Sequence, residues 1–227
     1  MKKIKIDIVS DVVCPWCYIG KRRIEKAMEQ LKDQFEFDIT YLPFELNPHI
    51  PKSGFNQQEY LIKKFGSAEK YEQITQHVTT IAAGEGLRFN FQNQSVAPNT
   101  RDAHRIIWLA KQEGKQASMK EAFLKAYFEE GVDLSKNENL ASIADGVGLP
   151  VNRVLSLLNS DEGLNEVIAA EQQNYQRGVS GVPFYIVNNQ YGISGAQPTE
   201  VFIRAFAEIG NKPALEGEAC EVDSQVC

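Results

Sequence analysis

Two cysteines three positions apart, Cys14 and Cys17 in Cys14-Pro15-Trp16-Cys17, are the residues of this chain best suited to covalent chemistry. A thiolate can attack a disulfide sulfur, and a second thiol one helical turn away can then expel the attacked partner by closing an internal disulfide. The same spacing supplies half of a zinc site, and two further cysteines, Cys220 and Cys227, are present. Zinc pairs usually sit on knuckle turns and come as two matched units, whereas six residues separate the second pair here. Redox chemistry is therefore favoured over structural zinc or unpaired core cysteines, and no metal is expected.

The flanking residues say how the pair is positioned. Ile4, Ile6 and Ile8 alternate with Lys3, Lys5 and Asp7, the period of a half-buried strand, while Ile24, Ala27, Met28 and Leu31 recur at helical spacing. The cysteines thus fall at a strand-to-helix junction. Cys14 lies near the N-cap, where unpaired N–H groups and the positive helix end favour a thiolate, and Pro15 suits a first helical position that needs no donor. Cys17 lies one turn further in.

Composition bounds the alternatives. The 227 residues, 43% hydrophobic and 24% charged, suffice for a sizeable core in one compound domain or two closely joined ones. A net charge of −6 with no basic run argues against a nucleic-acid surface. Lys5 and Asp7 interrupt the apolar stretch that a signal peptide needs, and no segment is long enough to span a membrane. A cytoplasmic protein is expected, in a compartment where cysteine pairs tend to be catalytic or metal-binding.

The chain has β-type ends and a long helical middle. Phe35, Phe37, Ile39 and Tyr41 predict a second strand ending at Leu42-Pro43, and a helix between two such strands favours parallel pairing. From about Gln57 to Arg177 no strand is expected: Tyr71, Ile74, Val78 and Ile81, then Ile106, Ile107, Leu109 and Ala110, then Phe123, Tyr127 and Phe128 keep helical spacing. Asn99-Thr100, Ser135 and Ser160-Asp161 are expected helix starts, and Gly84, Gly114, Gly131, Gly148 and Gly178 expected stops. Phe184 to Val187 and Gln190 to Ser194 read as a hairpin about Asn188-Asn189, followed by a helix from Thr199 to Ile209. Trp108, Phe123, Tyr127 and Phe128 read as core of the helical part, whose sheet-facing side could line an apolar groove. Pro183, in Gly178-Val179-Ser180-Gly181-Val182-Pro183-Phe184, opens a strand where a missing donor is tolerated and where a cis peptide is affordable.

This order of strand, C-x-x-C, helix, strand, helical insertion, Gly-Val-Pro, hairpin and helix resembles the DsbA family of thioredoxin-fold proteins, and its FrnE-like cytoplasmic branch most closely. The resemblance covers about residues 3 to 209. It is carried by Ser10-Asp11-Val12-Val13-Cys14-Pro15-Trp16-Cys17-Tyr18-Ile19-Gly20-Lys21-Arg22, Pro43-Phe44-Glu45-Leu46-Asn47-Pro48 and Asn99-Thr100-Arg101-Asp102-Ala103-His104-Arg105. Gly181-Val182-Pro183-Phe184 and Gly192-Ile193-Ser194-Gly195-Ala196-Gln197 carry it further. It implies an α/β, thioredoxin-like fold over residues 1–50 and 178–210, an inserted α-helical domain over 51–177 and a tail over 211–227. It also implies thiol–disulfide oxidoreductase or isomerase activity on protein or peptide disulfides, with Cys14 as nucleophile, Cys17 as resolving thiol and Pro183 as a cis-proline facing them. No bound cofactor is implied beyond the redox-active pair, with an external thiol such as glutathione as an accessory. The backbone of Val182 would pair with an extended substrate beside Cys14.

Where DsbA has a histidine this chain has Trp16, whose neutral indole cannot stabilise Cys14 as an imidazolium would, so a weaker oxidant is expected. Asp11 is expected to make a turn or cap, with proton relay to Cys17 as the alternative. His49, His77 and His104 are expected to be surface or packed histidines. The same superfamily includes glutathione-dependent kappa-class transferases and 2-hydroxychromene-2-carboxylate isomerases, but these typically carry a serine at the first cysteine position and lack the second. A non-enzymatic peptide binder is the third reading. FrnE-like proteins can carry a C-terminal cysteine pair, which makes Cys220 and Cys227 an expected accessory pair, with reversible disulfide formation ahead of electron relay or metal capture.

Overall fold

In a computed structural model, which describes residues 1–211, the alternating isoleucines form β1 (Lys2–Ser10), and α1 (Pro15–Leu31) leads from it to β2 (Phe35–Pro43). Then come β3 (Phe55–Asn56), α2 (Gln57–Phe65), α3 (Ala68–Gly84), a 3-10 turn over Phe91–Asn93 and β4 (Val96–Ala97). Five helices follow: α4 (Arg101–Gln112), α5 (Gln116–Phe128), α6 (Asn137–Asp145), α7 (Val151–Leu158) and α8 (Leu164–Gln176). A hairpin of β5 (Phe184–Val187) and β6 (Tyr191–Ser194) and a last helix, α9 (Thr199–Asn211), complete the described chain. Cys220 and Cys227 lie outside the described residues.

The sheet runs β2-β1-β5-β6. β1 pairs parallel with β2, Ile6 opposite Ile39, and antiparallel with β5, Ile8 opposite Tyr185. This central place explains a departure from the expected half-buried strand: Asp7 and Ser10 are buried as well as the isoleucines, because layers cover both faces. On one face Ile4, Ile6 and Ile8 pack with Ile24 and Ala27 of α1 and Phe202 and Phe206 of α9. On the other, Val9 and Ile186 meet Phe44 and Val179. Asn188 and Asn189 take φ of 52° and 56°, as the hairpin requires.

Two sequence expectations need correction. Val96–Ala97 pairs antiparallel with Phe55–Asn56, so the helical stretch does contain a strand, too short to leave an alternating signal. Neither Ser135 nor Ser160-Asp161 starts a helix. Ser135 bonds Asp133 while Lys136 precedes α6, and Ser160 donates back to Leu157 at the end of α7 while Gly163 precedes α8. Serine competes for nearby backbone groups in turns as well as at caps, which makes the two alike in sequence.

The helical part has its own core of Phe123, Leu124, Phe128, Ile106, Leu140 and Leu157, into which Tyr18 and Ile19 of α1 also project. An ionic cluster fixes α5 to α1: Glu121 accepts from Tyr18 Oη (2.8 Å) and pairs with Lys21 (2.6 Å) and with Arg22. Burial opposes the Glu121 charge, but the hydrogen bonds from Arg22 and Lys21 outweigh it and bring its pKa down to about 2. The cluster therefore stays charged at any ordinary pH.

Candidate active site

Cys14 is the N-cap of α1, in extended conformation, with Pro15 in the first turn behind it, and the Cys17 N–H donates to the Cys14 carbonyl at 3.0 Å. Both cysteines are thiols in this structure. Cys14 Sγ donates to Val182 O at 3.6 Å, and the Val182–Pro183 peptide is cis. Gly20 sets the spacing of this wall. A Cβ there would lie 2.3 Å from Tyr185 Oη and 3.2 Å from Pro183 Cγ, so only glycine lets α1 come this close to the Pro183 segment.

Thiol–disulfide exchange calls for an accessible nucleophile, but Cys14 is 3% exposed and Cys17 4%. Access runs instead through a cavity of about 310 Å³ on which Cys14, Trp16 and Val182 open. Leu46 and Ile50 after β2, Leu61 and Phe65 of α2, and Tyr127 and Phe128 of α5 line much of the rest, and Lys64 brings a cation. Tyr127 and Phe128 thus serve both core and groove, as their position allowed. The wall from α2 was not foreseen from sequence, since its residues carry no chemical signature.

The segment before Cys14 is fixed from within. Asp11 is fully buried; its Oδ1 accepts from Val12 N (2.7 Å) and lies 3.3 Å from His104 Nε2, and its Oδ2 accepts from Leu46 N (2.8 Å). Burial alone would raise its pKa, but the hydrogen bond and charge of His104, the Leu46 N–H and the charge of Lys120 outweigh it and hold the carboxyl below its ordinary value. Asp11 is thus a carboxylate that ties the Cys14 segment to the Phe44-Glu45-Leu46 loop. His104 is a packed histidine, as expected, and sequence gave no sign that it meets Asp11.

Cys17 is set differently. Burial, then its hydrogen bond with Cys14 and the charge of Cys14, push its thiol well above the ordinary value, against smaller opposing effects of Lys120 and an Asp11 backbone hydrogen bond. Among the described residues, no group of three or more His, Cys, Asp or Glu is placed to hold a metal ion.

Behind the loop, Glu45 accepts from Arg101 Nε at 2.8 Å and faces Glu171 of α8, whose Oε1 is buried without a hydrogen-bond partner. Burial and the charge of Glu45 raise Glu171 to about 7. The fold favours its neutral form, so its contribution to stability is full below the unfolded value, near 4.5, and is lost as pH rises through about 7. Glu171→Gln is expected to be more stable than the wild type by ~1–2 kcal/mol at pH 8, after allowance for partial solvent screening, and equal to it at pH 4. Urea denaturation at the two pH values checks this.

Residues 5–207 match the family model of the DSBA-like thioredoxin domain. The chain belongs to this family. A probable DsbA oxidoreductase of Streptomyces coelicolor, SCO1869, is similar in structure to this DSBA-like chain, with a TM-score of 0.87, 33% identity and 97% of each chain covered. A curated protein of Bacillus subtilis (strain 168), the uncharacterized YwbO, is 26% identical over 206 residues, 90% of this chain and 96% of its own length. The cytosolic disulfide reductase DsbM of Pseudomonas aeruginosa, solved with GSH, shares the fold at a TM-score of 0.64 and 15% identity, with 90% of this chain and 98% of that one covered. The expected thioredoxin-like fold with a helical insertion is therefore correct, and the DSBA-like family is one of thiol–disulfide oxidoreductases.

Proposed function

We propose that this chain catalyses thiol–disulfide exchange on protein or peptide disulfides, with Cys14 attacking the substrate and Cys17 resolving the mixed disulfide. The observation that carries the reading is the stacking of roles along one turn of α1. Cys14 faces the cavity and Val182 O, and Cys17 sits behind it as a thiol held protonated by burial. One sulfur is presented to substrate and the other is kept in reserve.

The near-complete burial of Cys14 narrows the substrate. A disulfide on a flexible peptide, or a small disulfide such as oxidised glutathione, can thread into the cavity, whereas one fixed on a rigid surface cannot reach the sulfur. Val182 offers its backbone beside Cys14 for an extended peptide, with Pro183 forming the wall behind it. Trp16 packs toward the helical core and lines the cavity, which supports apolar contact with substrate and a weaker oxidant than a histidine would give. We take the setting to be the reducing cytoplasm, with glutathione as the external thiol, the setting and ligand named for DsbM. Among the described residues no helix is long and apolar enough to cross a membrane.

Reduction of insulin disulfides with glutathione as electron donor tests the reading. Turnover above the uncatalysed rate is expected. Its absence, with glutathione transfer or isomerisation of an aromatic carboxylate in its place, would reject it for the glutathione-dependent alternative.

A further inference from the structure

Exchange leaves one proton unassigned. Cys17 must lose its proton before it can attack Cys14, yet it is buried and its charged form is disfavoured. The titratable groups that act on it or on which it acts are Asp11 before α1, Cys14 at the start of α1, Tyr41 on β2, Tyr185 on β5 and Lys120 on α5, with Lys21 and His104 next to these.

Most of these are otherwise committed. Asp11 is held in its carboxylate form by Val12, Leu46 and His104, which makes it a poor base. His104 also contacts Phe44 O at 3.2 Å. Lys21 is ion-paired with Glu25 and Glu121. Burial pushes the phenols of Tyr41 and Tyr185 up, so both stay protonated.

Lys120 differs. It is 1% exposed, and among the described residues it forms no ion pair and one hydrogen bond, from Nζ to Ser10 O at 3.3 Å. It projects from α5 beside Glu121, whose ionic cluster locks that helix onto α1, so the turn that carries Cys17 and the turn that carries Lys120 are fixed against each other. Of the charges acting on its amine, that of Cys17 is the strongest, ahead of Asp11 and Cys14.

We propose that Lys120 accepts the proton of Cys17 when the mixed disulfide is resolved. This rests on the redox reading of Cys14 and Cys17. Burial lowers the pKa of the lysine and so favours its neutral amine, while burial displaces the Cys17 thiol the opposite way. The proton passes from Cys17 Sγ to Lys120 Nζ. The Cys17 thiolate then attacks Cys14 Sγ, a Cys14–Cys17 bond forms, and the bond from Cys14 to substrate sulfur breaks. The substrate leaves as a thiolate that takes up a proton, so the enzyme dithiol is oxidised and the substrate disulfide is reduced to two thiols. In the reverse direction the Lys120 ammonium returns the proton to Cys17.

Acid-quenched single turnovers of the reduced full-length protein with oxidised glutathione test this. The mass of tryptic peptide 6–21, which holds both active-site cysteines and neither tail cysteine, separates glutathionylated Cys14 from the internal disulfide. In Lys120→Met, glutathionylation of Cys14 is expected at the wild-type rate. Its resolution at pH 7 should slow by about 10²-fold, within the usual range for loss of a positioned base, and recover with rising pH as hydroxide takes over. Circular dichroism and the unfolding midpoint report whether the variant is folded. A folded Lys120→Met that resolves the adduct at the wild-type rate with the wild-type pH profile overturns the proposal. A wild type that never forms the adduct overturns the redox reading itself, and this proposal with it.

Discussion

Cys14→Ser is expected to reduce insulin no faster than buffer with glutathione alone, while Cys17→Ser should accumulate substrate covalently attached to Cys14. The asymmetry follows from the positions of the two sulfurs. Cys14 opens on the cavity and touches Val182 O, so its loss removes the nucleophile. Cys17 does not line the cavity and its thiol is held protonated, so its loss leaves the first attack intact and removes only the step that expels substrate. Non-reducing electrophoresis of each variant with a disulfide-bonded peptide reads the difference directly. Wild-type turnover by Cys14→Ser, or equal trapping by both variants, would contradict the assignment.

Asp11→Ala is expected to cost about 2–4 kcal/mol of stability, because it leaves the buried N–H of Val12 and the partly buried N–H of Leu46 without their acceptor and removes the carboxylate beside His104. The carboxyl is depressed in the fold, so its stabilisation is present above its ordinary value, near 3.8, and is lost as pH falls through its lowered value. The gap between wild type and variant should therefore hold from pH 5 to pH 8 and narrow in acid. Guanidinium denaturation at both ends measures it. A gap that is absent at pH 7 would show that the tie between the Cys14 segment and the Phe44-Glu45-Leu46 loop contributes nothing.

What sequence could show was whatever depends on near neighbours. The strand, the pair and Pro15 adjoin one another, and Asn188-Asn189 makes its turn from within, so patterns only a few residues long identified them. The site beyond the pair is built from contacts with no local trace. Lys120 reaches Ser10 across 110 positions of chain, and His104 meets Asp11 across 93. A buried lysine in a helix reads as a surface lysine until the packing is known, because its neighbours in sequence are an ordinary mix of charged and apolar residues. The same limit concealed the cavity on which Cys14 opens, since its lining is drawn from α2, α3, α5 and the loop after β2.

Tyr60, Leu61, Lys64 and Phe65 of α2 face the cavity, yet the helix fully buries only Gln57. A helix that gives so little of itself to the core can change its sequence at small cost in stability. The redox machinery has no such freedom, because Gly20 fits one spacing and Asp11 spends both its oxygens. Substitutions along this one helix can therefore change what enters the cavity while leaving the redox pair and its supports as they are.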